Sequence, residues 1–181
     1  MIYKYIYKTP KEFSNIIMNS DGENLTGLWF ECSRDTSKHV VECEEKDLKI
    51  FRDTSKWLDI YFSGKNPDFT PKYKIENMTT PFRKEVIDIM NTISFGKTLT
   101  YSDISKIFAK NRGLEKMSSQ AVGGAVGWNP ICIIIPCHRV VGKSGSLTGY
   151  GGGIKNKIAL LEHEKNDMSK YFIPRRGSAL W

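Results

Sequence analysis

The sequence predicts a mixed α/β protein in two parts: a small N-terminal α/β unit over residues 1–78 and a helical unit over 79–181 holding a helix-turn-helix candidate. Three observations lead there. YKYIYK alternates apolar and polar residues, the period of a strand, whereas Leu48, Phe51, Leu58 and Tyr61 recur at helical spacing. Serine- and threonine-led starts open three apolar-faced segments in the second half. Between the halves, GKNPDFTPKYKIE holds two prolines and a glycine and reads as a linker.

In chain order, YKYIYK and GLWFEC read as strands with SDGEN as the clearest turn, and residues 47–62 as an amphipathic helix. Thr80 is an N-cap with Pro81 at the first helical position; Val86, Ile89, Met90 and Ile93 make one buried face, and Gly96 is expected to end that helix. Thr100, three residues before Asp103, starts a second short helix with a capping-box pattern. An NRG turn and the serine-capped SSQAVGGAVG follow, so two short helices meet across a glycine-bearing turn. AVGGAV places two glycines inside a helix, at about 1 kcal/mol each relative to alanine. Close approach of another backbone would offset that, either another helix or nucleic acid.

Charge bears on the choice. Residues 1–78 hold 12 Lys+Arg and 13 Asp+Glu, net −1; residues 79–181 hold 15 and 7, net +8. A basic half beside a neutral half suits a polyanion partner, a lysine-rich solvated face being the alternative. With the helical glycines, it favours DNA. No apolar run approaches the roughly 20 residues of a membrane span, and MIYKYIYKTP lacks the apolar centre of a signal peptide. Cysteines 32, 43, 132 and 137 show no framework spacing and read as reduced thiols in a cytoplasmic protein. Cys32, His39 and Cys43 are too few and too irregular for a zinc site, so no metal or cofactor is expected.

IIIPCHRV, residues 133–140, concentrates the chemistry. Its isoleucine run reads as a buried strand that proline ends, leaving Cys137 and His138 at the margin of the core. A free thiol is mostly protonated at neutral pH and needs a base, and His138 is adjacent. Neighbours in an extended segment face opposite ways, so the pair needs a bend or a bridging water. Glu164, at the end of a helix that starts near Lys155 and buries Ile154, Ile158 and Leu161, is a candidate to orient the histidine.

WNPICIIIPCHRVVGKSGSLTGYGGGIKNKIALLEHE resembles the active-site region of the O6-alkylguanine-DNA alkyltransferases, the methylated-DNA–protein-cysteine methyltransferases. PCHRV is highly specific to that family, and FGKTLTY and AVGGAVGWNP match upstream, so the likeness covers about residues 80–165. It implies a ribonuclease H-like N-terminal α/β domain followed by a winged helix-turn-helix domain. It implies single-use repair by a monomer: O6-alkylguanine, and O4-alkylthymine, is extruded from double-stranded DNA and its alkyl group moves irreversibly to Cys137. His138 would be the base through a water, Glu164 its orienting partner, Asn129 the tie between recognition helix and active-site loop, and Tyr101 a proton source for the leaving base. Val140, Tyr150, Gly151 and Gly152 would line the base pocket, with Lys157 at its edge. Gln120, Ala121, Gly123, Gly124 and Arg139 would face DNA, Arg139 serving structure or a phosphate. Gln120 stands where many members have arginine, so extrusion is expected to survive with weaker, less salt-sensitive binding. The rival readings are a non-catalytic alkyltransferase-like protein, which would lack the acceptor cysteine, and a cysteine hydrolase, for which no oxyanion-hole motif is present.

Overall fold

The computed structural model describes residues 1–31, 33–35, 42–75 and 79–174. It is a mixed α/β protein with five α-helices and a small mixed sheet among those residues. Strands β1 (Ile2–Tyr7), β2 (Ile16–Ser20), β3 (Leu25–Phe30) and β4 (Cys43–Glu45) lie in the order β3-β2-β1-β4. The pairs β1–β2 and β2–β3 are antiparallel, and β4 joins β1 in parallel. The alternating segment and residues 27–30 of GLWFEC are therefore strand, but β2 and β4 were not legible. β2 is nearly all buried and so carries no polar alternation. The polar, three-residue β4 exists because β1 offers it an edge.

Helix α1 (Lys49–Phe62) buries Phe51, Leu58 and Tyr61 as its spacing predicts, and adds Ile50, Thr54 and Trp57. The expected linker does more than connect. Leu25 N–H donates to the Lys72 carbonyl at 2.9 Å and Lys74 N–H to the Leu25 carbonyl at 2.9 Å, and Ile75 is buried. The segment thus covers part of the open edge of β3.

Helix α2 (Pro81–Asn91) starts at Thr80, whose hydroxyl accepts from Arg83 N–H. It ends at Asn91, five residues before Gly96, which lies in a left-handed loop conformation at φ 72°. After β5 (Leu99–Thr100) comes α3 (Tyr101–Arg112), whose capping box is complete and whose last turn closes on left-handed Gly113. Ser118 caps α4 (Ser119–Gly127). Ser105 and Ser119 hydroxyls meet at 3.0 Å, holding α3 against the start of α4. Apolar side chains from both halves share one core that runs from Ile16 and Phe51 to Val122 and Leu160. No helix among the described residues is long and apolar enough to cross a membrane.

The isoleucine run is not a strand. The chain touches the sheet just before the run, at one isolated bridge of Ile131 to Leu28, through Leu28 N–H to the Pro130 carbonyl at 2.9 Å and Cys132 N–H to the Leu28 carbonyl at 2.8 Å. Beyond them the chain turns, with Ile133 at φ 69°, a costly conformation for a β-branched residue. Prolines 130 and 136 bracket the run and donate no ladder hydrogen bonds. The Asn129 side chain binds backbone groups of Ile131 and Ile135, folding the segment into a compact loop. Burial of Ile131, Ile133 and Ile135 follows from packing rather than from strand pairing. The loop leads to a 3-10 turn, Cys137–Arg139, and then β6 (Val140–Val141), which pairs in parallel with β5. Helix α5 (Ile154–His163) follows; its buried face is Asn156, Lys157, Leu160 and Leu161, so Ile154 and Ile158 are only partly covered.

The α3 cap gives a simple test of local stability. Thr100 Oγ1 accepts from Asp103 N–H at 3.0 Å, and Asp103 Oδ2 accepts from Thr100 N–H at 3.0 Å. Thr100→Ala removes the first of these bonds and is expected to cost about 1 kcal/mol in urea unfolding.

Candidate active site

The bend that an adjacent Cys-His pair requires is the 3-10 turn itself. Cys137 is 6% exposed, and His138 is fully buried. Asn129, just past the C-terminus of α4, donates from Nδ2 to Cys137 Sγ at 2.9 Å and to the Ile135 carbonyl at 2.8 Å. One amide thus positions the sulfur and the loop that carries it. Hydrogen bonding from Cys132 holds the Cys137 thiol below its ordinary range, aided by Asn129 and the Lys157 charge and opposed by burial and the Asp35 carboxylate. Cys132, expected to be an inert core thiol, is held high by that same contact and by burial. Its Sγ lies 3.7 Å from Asp35 Oδ2, so it links the acceptor to a carboxylate from the first half.

His138 Nε2 meets Glu164 Oε1 at 2.8 Å. Burial alone would raise the Glu164 pKa, yet hydrogen bonds and charge from His138 and Arg139 hold it well below the ordinary carboxylate range. A carboxylate at Nε2 places the imidazole proton there, leaving the Nδ1 lone pair open. Nδ1 is buried with no hydrogen-bond partner among the described residues. Burial lowers the His138 pKa despite Glu164, so the ring is a neutral base.

Glu164 gathers more than His138. Arg139 donates Nε to both carboxylate oxygens at 3.1 and 2.9 Å and Nη2 to Oε1 at 2.9 Å, while Nη1 reaches the Ile93 carbonyl at 2.6 Å. Tyr61 donates to Oε1 at 2.8 Å, and Gly96 N–H to Oε2 at 3.1 Å. Arg139 is thus turned inward. Its guanidinium donors meet Glu164 and the Ile93 carbonyl. Tyr61 and Gly96 belong to the site, and sequence reading assigned them only to a helix face and a helix end.

A small pocket opens beside Cys137, lined by Asp35, Val126, Gly127, Asn129, Gly149, Tyr150 and Gly151. Of the residues expected there, Tyr150 and Gly151 line it; Val140, Gly152 and Lys157 do not. Lys157 is the residue expected at the pocket edge. It is fully buried, donating to the Val140 carbonyl at 2.6 Å, and burial pulls its pKa down to about 8. The Tyr150 hydroxyl is buried with no partner among the described residues. Tyr101 opens α3; burial and the nearby Cys137 push its pKa up to about 12, so it remains a protonated donor.

On α4, Gln120, Ala121, Gly124 and Gly127 are exposed. A Cβ at Gly124 or Gly127 would meet nothing within 4 Å, and one at Gly123 would make ordinary contact with the Tyr101 ring at 3.9 Å. Internal packing therefore does not demand these glycines, and helix-on-helix contact does not explain them. No group of three or more His, Cys, Asp or Glu among the described residues is arranged to hold a metal; Cys32 and His39 lie outside those residues.

Comparison with known proteins converges on one family. Residues 81–166 match the family model described as 6-O-methylguanine DNA methyltransferase, DNA binding domain. The chain is 38% identical over 163 residues to a methylated-DNA–protein-cysteine methyltransferase of Methanosarcina acetivorans, covering 90% of this chain and 98% of the relative. It is 32% identical to the Haemophilus influenzae protein of the same name, covering 86% and 83%. The crystal structure of Mycobacterium tuberculosis O6-methylguanine methyltransferase superposes with a TM-score of 0.74 at 36% identity, covering 91% of this chain and 93% of that one. The M. tuberculosis OGT crystallised in complex with DNA gives 0.73 at 33%, covering 94% of both.

The Glu164 cluster carries a pH signature. The folded carboxylate titrates below its ordinary value of 4.5, so its contribution to stability is complete above that pH and is lost as pH falls below it. Glu164→Gln leaves Arg139 buried without a countercharge and is expected to cost about 3–5 kcal/mol at pH 7. In urea unfolding from pH 7 to pH 3, the gap between wild type and variant should narrow only below about 4.5. A gap independent of pH would mean that the carboxylate charge contributes nothing.

Proposed function

The chain belongs to the family of methylated-DNA–protein-cysteine methyltransferases, and on that premise we propose that it removes the alkyl group of O6-alkylguanine in duplex DNA onto Cys137. Methyl transfer between methylated DNA and a protein cysteine is the activity its relatives' names carry. The observation that carries the assignment to Cys137 is the His138 ring in the same turn, with Nε2 on Glu164 and a buried Nδ1 that has no partner among the described residues.

The chemistry balances with these residues and one bridging water. The Cys137 proton passes through a water to His138 Nδ1, and Glu164 offsets the imidazolium charge. The thiolate attacks the alkyl carbon; the S–C bond forms as the C–O6 bond breaks, and that electron pair goes into the guanine ring. The Tyr101 hydroxyl passes its proton to the guanine ring, so the base leaves neutral, and the proton held on His138 returns to the tyrosinate through water. A thioether does not ionise, so the reaction stops after one turn.

Cys137 is buried, and a base inside a duplex stack cannot reach it, so we read the step as one on an extruded nucleotide. The Ala121–Gly124 face of α4 would press on the duplex backbone, with Gln120 at its leading end as the residue that replaces the lost base in the stack. Helices α2 to α4 with the β5–β6 pair suit a winged helix-turn-helix, and a division at residues 78 and 79 separates it from the sheet unit. O4-alkylthymine presents the same alkyl–oxygen bond and is read as a second substrate. Action as a monomer in the cytoplasm completes the reading.

Incubation with one equivalent of O6-methylguanine duplex is expected to add one methyl group to the peptide containing PCHR, seen by intact mass and peptide mapping. Methyl on Cys132 instead, or turnover beyond one equivalent, would refute the assignment.

The α4 surface gives a second test with opposite signs. Gly124→Ala fills open space in a helix and should stabilise the fold by up to about 1 kcal/mol. The added methyl should weaken duplex binding, measured by titration of a labelled duplex. Unchanged affinity would take α4 out of the interface.

A further inference from the structure

Tyr61 is fully buried on α1 and reaches the acceptor site from the first half of the chain, outside the family-model match at residues 81–166. Its hydroxyl donates to Glu164 Oε1 at 2.8 Å. The same oxygen meets His138 Nε2 at 2.8 Å and Arg139 Nη2 at 2.9 Å. The Tyr61 and His138 rings lie edge to face, with centroids 6.5 Å apart. His163 Nε2 donates to the Tyr61 carbonyl at 2.7 Å, and the Tyr61 ring stacks on Trp57 at 5.5 Å, so backbone and ring together aim the hydroxyl.

Packing does not ask for that hydroxyl. A phenylalanine ring would keep the Trp57 and His138 contacts, and a buried hydroxyl carries a desolvation cost. Its use lies in the carboxylate. A donor on Oε1 stabilises the charged form of Glu164 and so weakens its hold on any other proton near that oxygen. The charged groups around His138 are Glu164 at the end of α5, Arg139 in its own turn and Lys157 on α5. Burial and the two cations keep the ring neutral, and Glu164 acts the other way. Burial and the Glu164 charge push the Tyr61 pKa well above its ordinary value, so the hydroxyl keeps its proton and remains a donor.

We propose that Tyr61 is a positioning residue for the transfer: by donating to Glu164 Oε1 it limits the pull of that carboxylate on the imidazole and keeps His138 a neutral base with Nδ1 open. The first half of the chain thereby sets the protonation of a base that lies in the second. The role in transfer rests on the repair reading above, but the first test needs no DNA.

The chain has three histidines, so the His138 ring can be followed alone by nitrogen-15 NMR through a pH titration. In Tyr61→Phe the His138 midpoint should rise by at least about half a unit, a fraction of what a hydrogen bond to a charged group is worth. The acid limb of single-turnover methyl transfer should move up by the same interval, with duplex affinity unchanged because Tyr61 is fully buried. Replacement of Tyr61 by 3-fluorotyrosine, a stronger donor that keeps the fold should the phenylalanine variant not form, should move the midpoint down. A midpoint unmoved in the variants that fold overturns the inference and leaves the repair reading intact. Wild type that adds no methyl to Cys137 sinks the repair reading and, with it, the role in transfer.

Discussion

One buried carboxylate holds the site together. Glu164 ends α5, where the helix dipole disfavours negative charge, and its side chain is fully buried. Such a group survives only when its lone pairs are filled, and here four residues from three elements fill them. Tyr61 comes from α1, Gly96 from the loop after α2, and His138 and Arg139 from the acceptor turn. Desolvation offsets much of the attraction within a buried ion pair, so the cluster is better understood as a device for unique geometry than as a source of stability. It locks the His138 ring, and with it the direction of Nδ1.

The acceptor is tuned by competing contacts rather than by one partner. Cys132, Asn129 and Lys157 favour the Cys137 thiolate, while burial and Asp35 oppose it. Lys157 on α5 and Asp35 after β3 join the loop that carries Asn129 and Cys132, so thiol acidity depends on the assembled fold. Lys157 shows how closely the balance is drawn, since burial brings its pKa down to about 8 and so limits how much positive charge it can offer. The same assembly separates chemistry from the α4 surface: Asn129, two residues past that helix, is the covalent and hydrogen-bonded link between them.

Much of this was legible because it is local. Thr80, Thr100 and Ser118 satisfy backbone donors within three residues, so the starts of α2, α3 and α4 can be read directly. PCHRV puts thiol and imidazole in one turn, and α5 places Glu164 at its end whatever the packing. The exposed glycines of α4 stood out because glycine is costly inside a helix.

The rest depends on contacts that no local pattern encodes. The isoleucine run has strand composition, but flanking prolines and the Asn129 amide turn it into a loop. Arg139 reads as a surface cation until Glu164 and the Ile93 carbonyl draw it inward. Tyr61 meets Glu164 across 103 residues, Asp35 meets Cys132 across 97, and Gly96 meets Glu164 across 68. Short-range periodicity and capping determined which residues were chemically able to act. Tertiary packing decided which of them meet, because burial in one shared core sets the distances, the desolvation and the charges that each group experiences.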